Sequence, residues 1–195
     1  MTSIALAYGV AIGGSLPAVP ISPRQIGMGD IAIGSGDFLS AWSNPANVCA
    51  TADTIQLGGS GNVVAEGLIV TAIGARFRYG RCGVGVLNSA YNFSFDETGY
   101  YGEPVNNRVK CSGNVLGIIG GLRLGSITTV GAAYKNYQES IVGSSIGMSL
   151  FDVGINITSR GFSAGLAMFN KGSPYFDQEE IRGGVRYFHK GHRMG

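Results

Sequence analysis

The residues that could do chemistry are few in this chain, and their spacing argues against catalysis. Both histidines, His189 and His192, lie among the last seven residues, so a Ser-His-Asp or Cys-His constellation would have to form at a chain end. The sequence has no H-E-x-x-H motif, no P-loop and no carboxylate pair spaced for acid-base work. We therefore predict that the protein is not an enzyme. One alternative stays open, a lipid-directed enzyme whose site gathers residues from separate strands.

The cysteines do not indicate a metal site. Cys49, Cys82 and Cys111 are far apart, form no C-x-x-C pair and have no nearby histidine pair that could complete a zinc site. An odd number of cysteines cannot all pair, and we expect single thiols that behave as small apolar groups. We predict no metal and no cofactor.

Charge and glycine content indicate an unusual surface. Lys plus Arg number 14, Asp plus Glu number 12, and charged residues are 13% of the chain, against about 25% in ordinary domains. Hydrophobic residues are 45%, so the chain is not disordered, and its charge balance provides no basic field for nucleic acid. Glycine accounts for 33 of 195 residues. This content disfavours helices, and the alternating apolar runs around the glycines predict β-structure.

The first residues have some features of a secretory signal. An apolar run over residues 4–13 is followed by Ser15, Pro17 and Ala18. The charged segment that opens a signal peptide is missing. Residues 1–20 are therefore either a signal peptide or an apolar segment of the mature protein, and a mis-assigned start is the third alternative.

The rest of the chain divides into β-runs of about ten residues or more, the length of a tilted membrane strand. Tight turns at 79–81, 125–126 and 159–160 contrast with longer polar loops such as 96–109, which is the asymmetry of outer-membrane barrels. No run reaches the 18 or so apolar residues of a membrane-spanning helix. The eight predicted strands cover residues 54–66, 68–79, 82–95, 110–124, 127–138, 147–158, 161–170 and 180–189.

Alternation within these strands separates an apolar face from a face of glycine and charge. Successive side chains point to opposite sides, and in 147–158 one side holds Asp152, Gly154 and Asn156. The same split recurs in 68–79 and 110–124. Because a soluble sandwich would carry abundant Lys, Glu and Thr outside, we predict that lipid contacts the apolar face and that the other face lines a lumen. The apolar residues of 147–158 are Phe151, Val153, Ile155 and Ile157.

Seven charged residues fall on the predicted lumen face. They are either ordinary lumen charges in mutual salt bridges or a path for anions and carboxylates, and both interpretations stay open. They are Arg76, Arg78, Arg123, Lys135, Asp152, Arg182 and Arg186.

Aromatic residues near the run ends are candidates for interfacial girdles and, equally, for a core. In 82–95 both glycines and asparagines look inward, which predicts a bulge near Leu87. The aromatic candidates are Tyr79, Tyr91, Phe93, Phe95, Tyr134 and Tyr187.

Residues 22–49 contain an ordered set of motifs that resembles the opening of the PorV/PorQ-like outer-membrane barrels, relatives of the FadL long-chain fatty-acid transporters. In that family an R-x-x-x-M-G-x-A-like stretch precedes an acidic residue and a W-x-N-P-A box. Asp30 stands where a second glycine is usual, and Asp37 is single where an acidic pair is common. Weaker motifs continue in order to Tyr187. The matching residues are Arg24, Gly27, Met28, Gly29, Ala32, Asp37, Trp42, Asn44, Pro45 and Ala46.

The resemblance implies a Bacteroidota-type outer-membrane protein associated with type IX secretion, whose members escort or anchor substrates at the cell surface. It implies membrane lipid as a partner, together with secretion-system components or cargo proteins, and a barrel of about fourteen strands. Eight strands use the whole chain, so we expect a truncated sequence whose missing strands close the cylinder. A closed eight-stranded barrel is the alternative.

Residues 37–48 are expected to form one or two helical turns, with Asp37 as N-cap and Pro45 limiting continuation. Inside a lumen they would form a plug, with Trp42 buried and its indole N–H needing a partner. A turn packed under the sheet is the alternative. The predicted plug or gate residues are Arg24, Gly27, Met28, Gly29, Asp37, Trp42, Asn44, Pro45 and Ala46.

The combined prediction is an all-β, antiparallel transmembrane β-barrel with a short plug-like helical segment. Residues 1–20 are the signal or apolar segment, 21–53 the plug-like segment and 54–195 the barrel strands. We expect an outer-membrane protein that serves secretion and surface attachment. The alternatives are an outer-membrane transporter of hydrophobic or anionic small molecules and a soluble glycine-rich β structural protein.

Overall fold

The computed structural model describes residues 38–49, 54–65, 68–98, 104–141, 144–159, 162–171 and 180–187. These residues form two short 3-10 helices, Phe38–Trp42 and Pro45–Cys49, followed by eight strands. The predicted all-β class is confirmed. The strands are β1 (Ile55–Ala65), β2 (Leu68–Tyr79), β3 (Cys82–Thr98), β4 (Pro104–Leu124), β5 (Thr128–Ile141), β6 (Ser144–Ser159), β7 (Phe162–Lys171) and β8 (Glu180–Tyr187).

The eight strands form one antiparallel sheet in the order of the sequence, with β1 and β8 at its edges. The sheet curls around residues 38–49, which we call the inner segment. This curvature brings the second 3-10 helix into contact with five consecutive strands, β2 to β6. Tight hairpins at Gly80 and Gly125, with φ of 58° and 69°, use the left-handed backbone that glycine adopts without strain. Within the described strands the sheet is open, so the alternative of a closed eight-stranded barrel is not observed.

The two faces of the sheet have the orientation that the alternation predicts. Phe151 is 52% exposed on the outer face, whereas Arg76 is 2% exposed on the inner face. Leu116 and Ile118 point outward, and Gly117 between them is buried. The sheet therefore presents apolar side chains outward and covers its polar and glycine positions with the inner segment.

The third strand corrects two predictions. Its pairing with β2 and β4 continues through Leu87 without a register shift, so the predicted bulge there is wrong. Leu87, Ser89 and Tyr91 are buried on the inner face, while Asn88 lies on the outer face and its amide hydrogen-bonds Asn114. Leu87 and Tyr91 are buried because the inner face of the curled sheet forms an apolar core together with the inner segment.

For two of the candidate girdle aromatics the structure supports the other alternative, a place in the core. Tyr91 packs over Gly113, where an added Cβ would lie 2.2 Å from its ring, and its hydroxyl donates to the Glu139 carboxylate. Phe93 packs against the same buried cluster. Phe95 and Tyr187 have side chains outside the described set, whereas Tyr79 and Tyr134 are exposed on the outer face.

The predicted loop at 96–109 is mostly strand. β3 continues to Thr98 and β4 begins at Pro104, so this hairpin extends well beyond its neighbours. The polar residues there pair through their backbones, which a hydrophobicity pattern cannot detect. None of the described residues belongs to a helix long and apolar enough to cross a membrane.

Candidate functional site

The inner segment and the sheet face beneath it form the most completely buried part of the described chain. Every residue of 38–49 is buried, and Trp42 is inaccessible to solvent. Its 3-10 turns match the expectation of one or two helical turns. The Trp42 indole N–H, which was expected to find a partner, makes no hydrogen bond within the described residues.

The Asn44-Pro45-Ala46 sequence starts the second 3-10 helix. The Asn44 side-chain oxygen accepts a hydrogen bond from the Ala46 backbone N–H at 3.1 Å, as an N-cap does. Pro45 occupies the first helical position, where its missing N–H costs nothing. The Asn44 amide also donates to the Ile155 carbonyl at 3.3 Å, which ties the cap to β6.

Glycines on the inner face make room for this close approach. A Cβ at Gly131 would lie 2.4 Å from the Pro45 carbonyl carbon, and one at Gly154 would lie 2.1 Å from the Asn44 side-chain oxygen. At Gly117 it would meet the Trp42 ring at 3.2 Å. The glycine-rich face is therefore the surface on which the inner segment lies.

Lys135 forms the centre of the site. Its Nζ lies 2.6 Å from Asp152 Oδ2, with both side chains fully buried. The same ammonium donates to the Trp42 carbonyl at 3.0 Å and lies 4.3 Å from the centroid of the Trp42 ring. The sheet therefore holds the end of the first 3-10 helix by a paired cation, since helix C-termini favour positive charge.

Arg76 serves the second 3-10 helix in the same way. One of its guanidinium nitrogens donates to the Val48 carbonyl at 3.0 Å, one residue before the helix ends. Burial raises the pKa of the neighbouring Cys49 thiol, and Arg78 and Arg76 oppose that shift. Each short helix thus ends on a cation supplied by a strand.

An amide and hydroxyl network that sequence reasoning did not single out completes the site. The Asn156 amide donates to the Asn47 side-chain oxygen at 2.8 Å, and the Asn47 amide donates to the Ser40 hydroxyl at 3.1 Å. The Ser163 hydroxyl donates to Asn156 at 3.1 Å. The inward parity of Asn156 was the only available signal, because its partner lies 109 residues away.

The other predicted lumen charges lie nearer the tight turns or outside the described side chains. Arg78 donates to the Gly80 carbonyl at 3.2 Å, and Arg123 donates to the Ser126 carbonyl at 2.7 Å. Arg182 and Arg186 pair through β8 with Ala167 and Ser163, but their side chains are not among those described. The path for anions stays a prediction.

Part of the predicted plug lies outside the described residues. Of the predicted motifs, the structure therefore describes the W-x-N-P-A box and its contacts with the strands. The predicted residues outside are Arg24, Gly27, Met28, Gly29 and Asp37.

The outer face carries a belt of apolar residues, and the register shows where the belt ends. We call the direction towards the first residues of β4 'up' and the direction towards its last residue, Leu124, 'down'. Val86, Ile118, Tyr134 and Phe151 lie in one cross-strand row. The Tyr134 and Phe151 rings lie 5.1 Å apart, and the Tyr134 hydroxyl hydrogen-bonds Ser149 at 2.8 Å. Below this row the outward residues of β4 to β6 are largely apolar, and above it they become mostly polar.

Two serines match the G-x-S-x-G pattern of hydrolase nucleophiles, and neither has its structural context. Ser145 and Ser163 lie within β6 and β7, paired with Ser140 and Arg186. A nucleophile elbow needs a sharp turn between a strand and a helix. Among the described residues no cluster of three or more His, Cys, Asp or Glu side chains could hold a metal ion.

Comparisons with protein families, with curated proteins and with solved structures find no match to this chain.

Proposed function

We propose that this chain forms part of the wall of an outer-membrane β-barrel, and that the inner segment is a plug inside it. The proposed role is protein secretion and surface attachment, as in the PorV/PorQ-like proteins that its motifs resemble. The observation that supports it best is the orientation of the sheet, with apolar side chains outward and the Lys135–Asp152 pair inward.

A lipid setting accounts for the apolar outer face. Twenty-four large apolar side chains of the described residues are exposed, whereas a soluble monomer rarely exposes apolar patches above a few hundred Å². Along β4 the belt runs from Ile118 to Leu124, about 20 Å at the rise of a strand. It is shorter than the apolar band of about 25 Å in outer-membrane barrels, so the lipid setting is supported by the exposed apolar face and not by the length of the belt.

The packing of the inner segment supports the plug. A cation holds each 3-10 helix, and an asparagine pair joins the segment to β6. Such contacts fit a segment that fills a lumen and favour a protein that acts at its rims and surface over an open pore. The transport alternative requires this segment to move.

Arginine substitutions at two depths of β6 test the membrane setting. We expect Val153→Arg, in the belt, to destabilise the inserted protein by about 2–4 kcal/mol, and Ser145→Arg, beyond the belt, by about 1 kcal/mol or less. Folding in detergent or vesicles is measured by heat-modified electrophoretic mobility. If Val153 is simply water-exposed, its substitution changes stability by no more than about 0.5 kcal/mol, and fractionation without detergent leaves the protein soluble.

Deletion of the gene separates the two membrane functions. Retention of secreted proteins inside the deletion strain supports the secretion role. A defect confined to uptake of fatty acids or small anions, with secretion unchanged, overturns it in favour of transport. Complementation with the Val153→Arg and Ser145→Arg variants connects either phenotype to insertion of this chain.

A further inference from the structure

We propose that the outer face of β3 to β6, just above the apolar belt, binds the saccharide headgroup of a membrane glycolipid. This inference rests on the membrane setting proposed above. The site, which we call the outer polar surface, consists of Asn92, Ser112, Asn114, Gln138, Ser140 and Ser145, which line a depression of about 550 Å³.

The register places these residues in two neighbouring rows. Asn92, Ser112, Ser140 and Ser145 follow one another across four strands. In the row below, Asn114 and Gln138 lie between Ala90 and Gly147. The two amides are flanked by the small residues Ala90 and Gly147.

The chemistry of the surface matches hydroxyl groups. Asparagine, glutamine and serine side chains both donate and accept hydrogen bonds, as sugar hydroxyls do, whereas a lysine only donates and a carboxylate only accepts. None of these six outward side chains is charged, and Glu139, which also lines the depression, is buried and accepts a hydrogen bond from the Tyr91 hydroxyl. Asn114 is already oriented, because it and Asn88 exchange hydrogen bonds of 3.1 and 3.4 Å.

The position of the surface fits a lipid headgroup. The row of Asn114 lies four residues beyond that of Ile118 on the same strand, about 13 Å further along it. A glycolipid whose acyl chains cover Ile118 and Phe151 would therefore present its sugars to Asn114 and Gln138. Phosphate recognition would need a cluster of cations, and among the described side chains at the adjoining outward positions of β4 the one cation is Lys110. A protein interface would favour exposed aromatic and arginine anchors, and the one aromatic residue that lines the depression, Tyr91, is only 2% exposed.

Lipid enrichment around the intact chain tests the proposal. The protein is reconstituted in nanodiscs of phosphatidylethanolamine mixed with a lipooligosaccharide, and the lipids that remain bound are quantified by native mass spectrometry. We expect wild type to retain lipooligosaccharide above its bulk share. The Asn114→Ala/Gln138→Ala variant should lose about tenfold in this preference, since two neutral hydrogen-bonding groups are removed.

Two control variants separate the interpretations. Thr128→Ala changes an outward polar residue at the opposite end of β5 and should leave the preference unchanged. Lys110→Gln should also leave it unchanged, and a loss there with no effect of the amide variant would mean that phosphate is recognised, which overturns the proposal. Equal mobility of all variants in heat-modified electrophoresis confirms their folding.

The outcomes distinguish this inference from the proposed function. If wild type enters the nanodiscs but shows no preference for lipooligosaccharide, the headgroup site is wrong and the membrane setting stands. If wild type does not enter nanodiscs of any composition, the membrane setting itself fails, and the headgroup site fails with it.

Discussion

At the scale of single residues, a buried ion pair and a few glycines hold the inner segment against the sheet. Lys135 Nζ and Asp152 Oδ2 lie 2.6 Å apart, and both side chains are inaccessible to solvent. Breaking such a pair costs more than the pair contributes, because the remaining charge is left buried and uncompensated. The ion pair and the glycines together therefore determine where the inner segment lies against the sheet.

Lys135→Met should lower the free energy of unfolding by about 3–5 kcal/mol, since Asp152 is left buried without its cation. Chemical unfolding of the detergent-folded protein measures this change. The double variant Lys135→Met/Asp152→Leu should recover most of the loss. A single variant as stable as wild type would show that the pair is not buried in the folded protein.

Gly131→Ala should destabilise the protein by about 1–3 kcal/mol, because the added Cβ would clash with the Pro45 backbone. Backbone atoms cannot move aside as the end of a flexible side chain can. Gly120→Ala, on the outer face of β4 with nothing within 4 Å of the added Cβ, is the matched control and should stay within about 0.5 kcal/mol of wild type. Equal effects of the two substitutions would contradict the close packing of the segment.

At the scale of elements, two 3-10 helices of five residues each are too short to be stable alone. They persist because side chains satisfy their ends. Asn44, between the two helices, caps the second. Lys135 on β5 donates to the last residue of the first helix, and Arg76 on β2 donates near the end of the second. Their conformation thus depends on the sheet, and weakening a cap should expose the segment.

Alkylation of Cys49 reports this exposure. Cys49 is buried and Cys82 is exposed, and burial raises the pKa of the Cys49 thiol, so little thiolate is present at neutral pH. Peptide mass spectrometry should show Cys49 reacting far more slowly than Cys82. The Cys49 rate should increase as pH rises towards the raised pKa.

Asn44→Ala should accelerate alkylation of Cys49 about fivefold, the effect of about 1 kcal/mol from a lost cap. Asn88→Ala on the outer face is the control and should leave the rate unchanged. Equal rates at Cys49 and Cys82 in wild type would show that the segment does not cover Cys49.

At the scale of the whole molecule, the inner segment limits how the sheet can close. An eight-stranded barrel has an interior just wide enough for its own side chains, whereas this sheet also accommodates residues 38–49 on its inner face. A closed barrel around that segment needs a wider wall, and its additional strands would pair with the edges β1 and β8.

Disulfide trapping tests this arrangement in a background without native cysteines. Cysteine at Leu57 combined with cysteine at Ile181, Gly183 or Val185 should give no intrachain cross-link in the folded protein, because β1 and β8 are opposite edges. The pair at Ala132 and Val153, directly opposed on β5 and β6, should cross-link readily, since opposed residues have the Cα separation that a disulfide needs. An efficient cross-link between β1 and β8 would indicate a closed eight-stranded barrel.

The sequence by itself determined the two faces of β2, β4 and β6. Alternation with a period of two places Phe151 and Val153 on one side and Asp152 on the other whatever the partner strands are, and β2 begins and ends at the predicted residues, Leu68 and Tyr79. The N-cap role of Asn44 was not predicted, although its bond reaches only two residues along the chain; the predicted N-cap, Asp37, lies outside the described residues.

Only the tertiary structure decided which residues meet. Lys135 reaches the Trp42 carbonyl across 93 residues of sequence, and Asn156 reaches Asn47 across 109. It also decided that Leu87 and Tyr91 point inward and Asn88 outward, where glycines and asparagines in the sequence suggested a bulge. Parity along a strand is set by local backbone geometry, whereas the partner of an inward side chain depends on the register and curvature of the whole sheet.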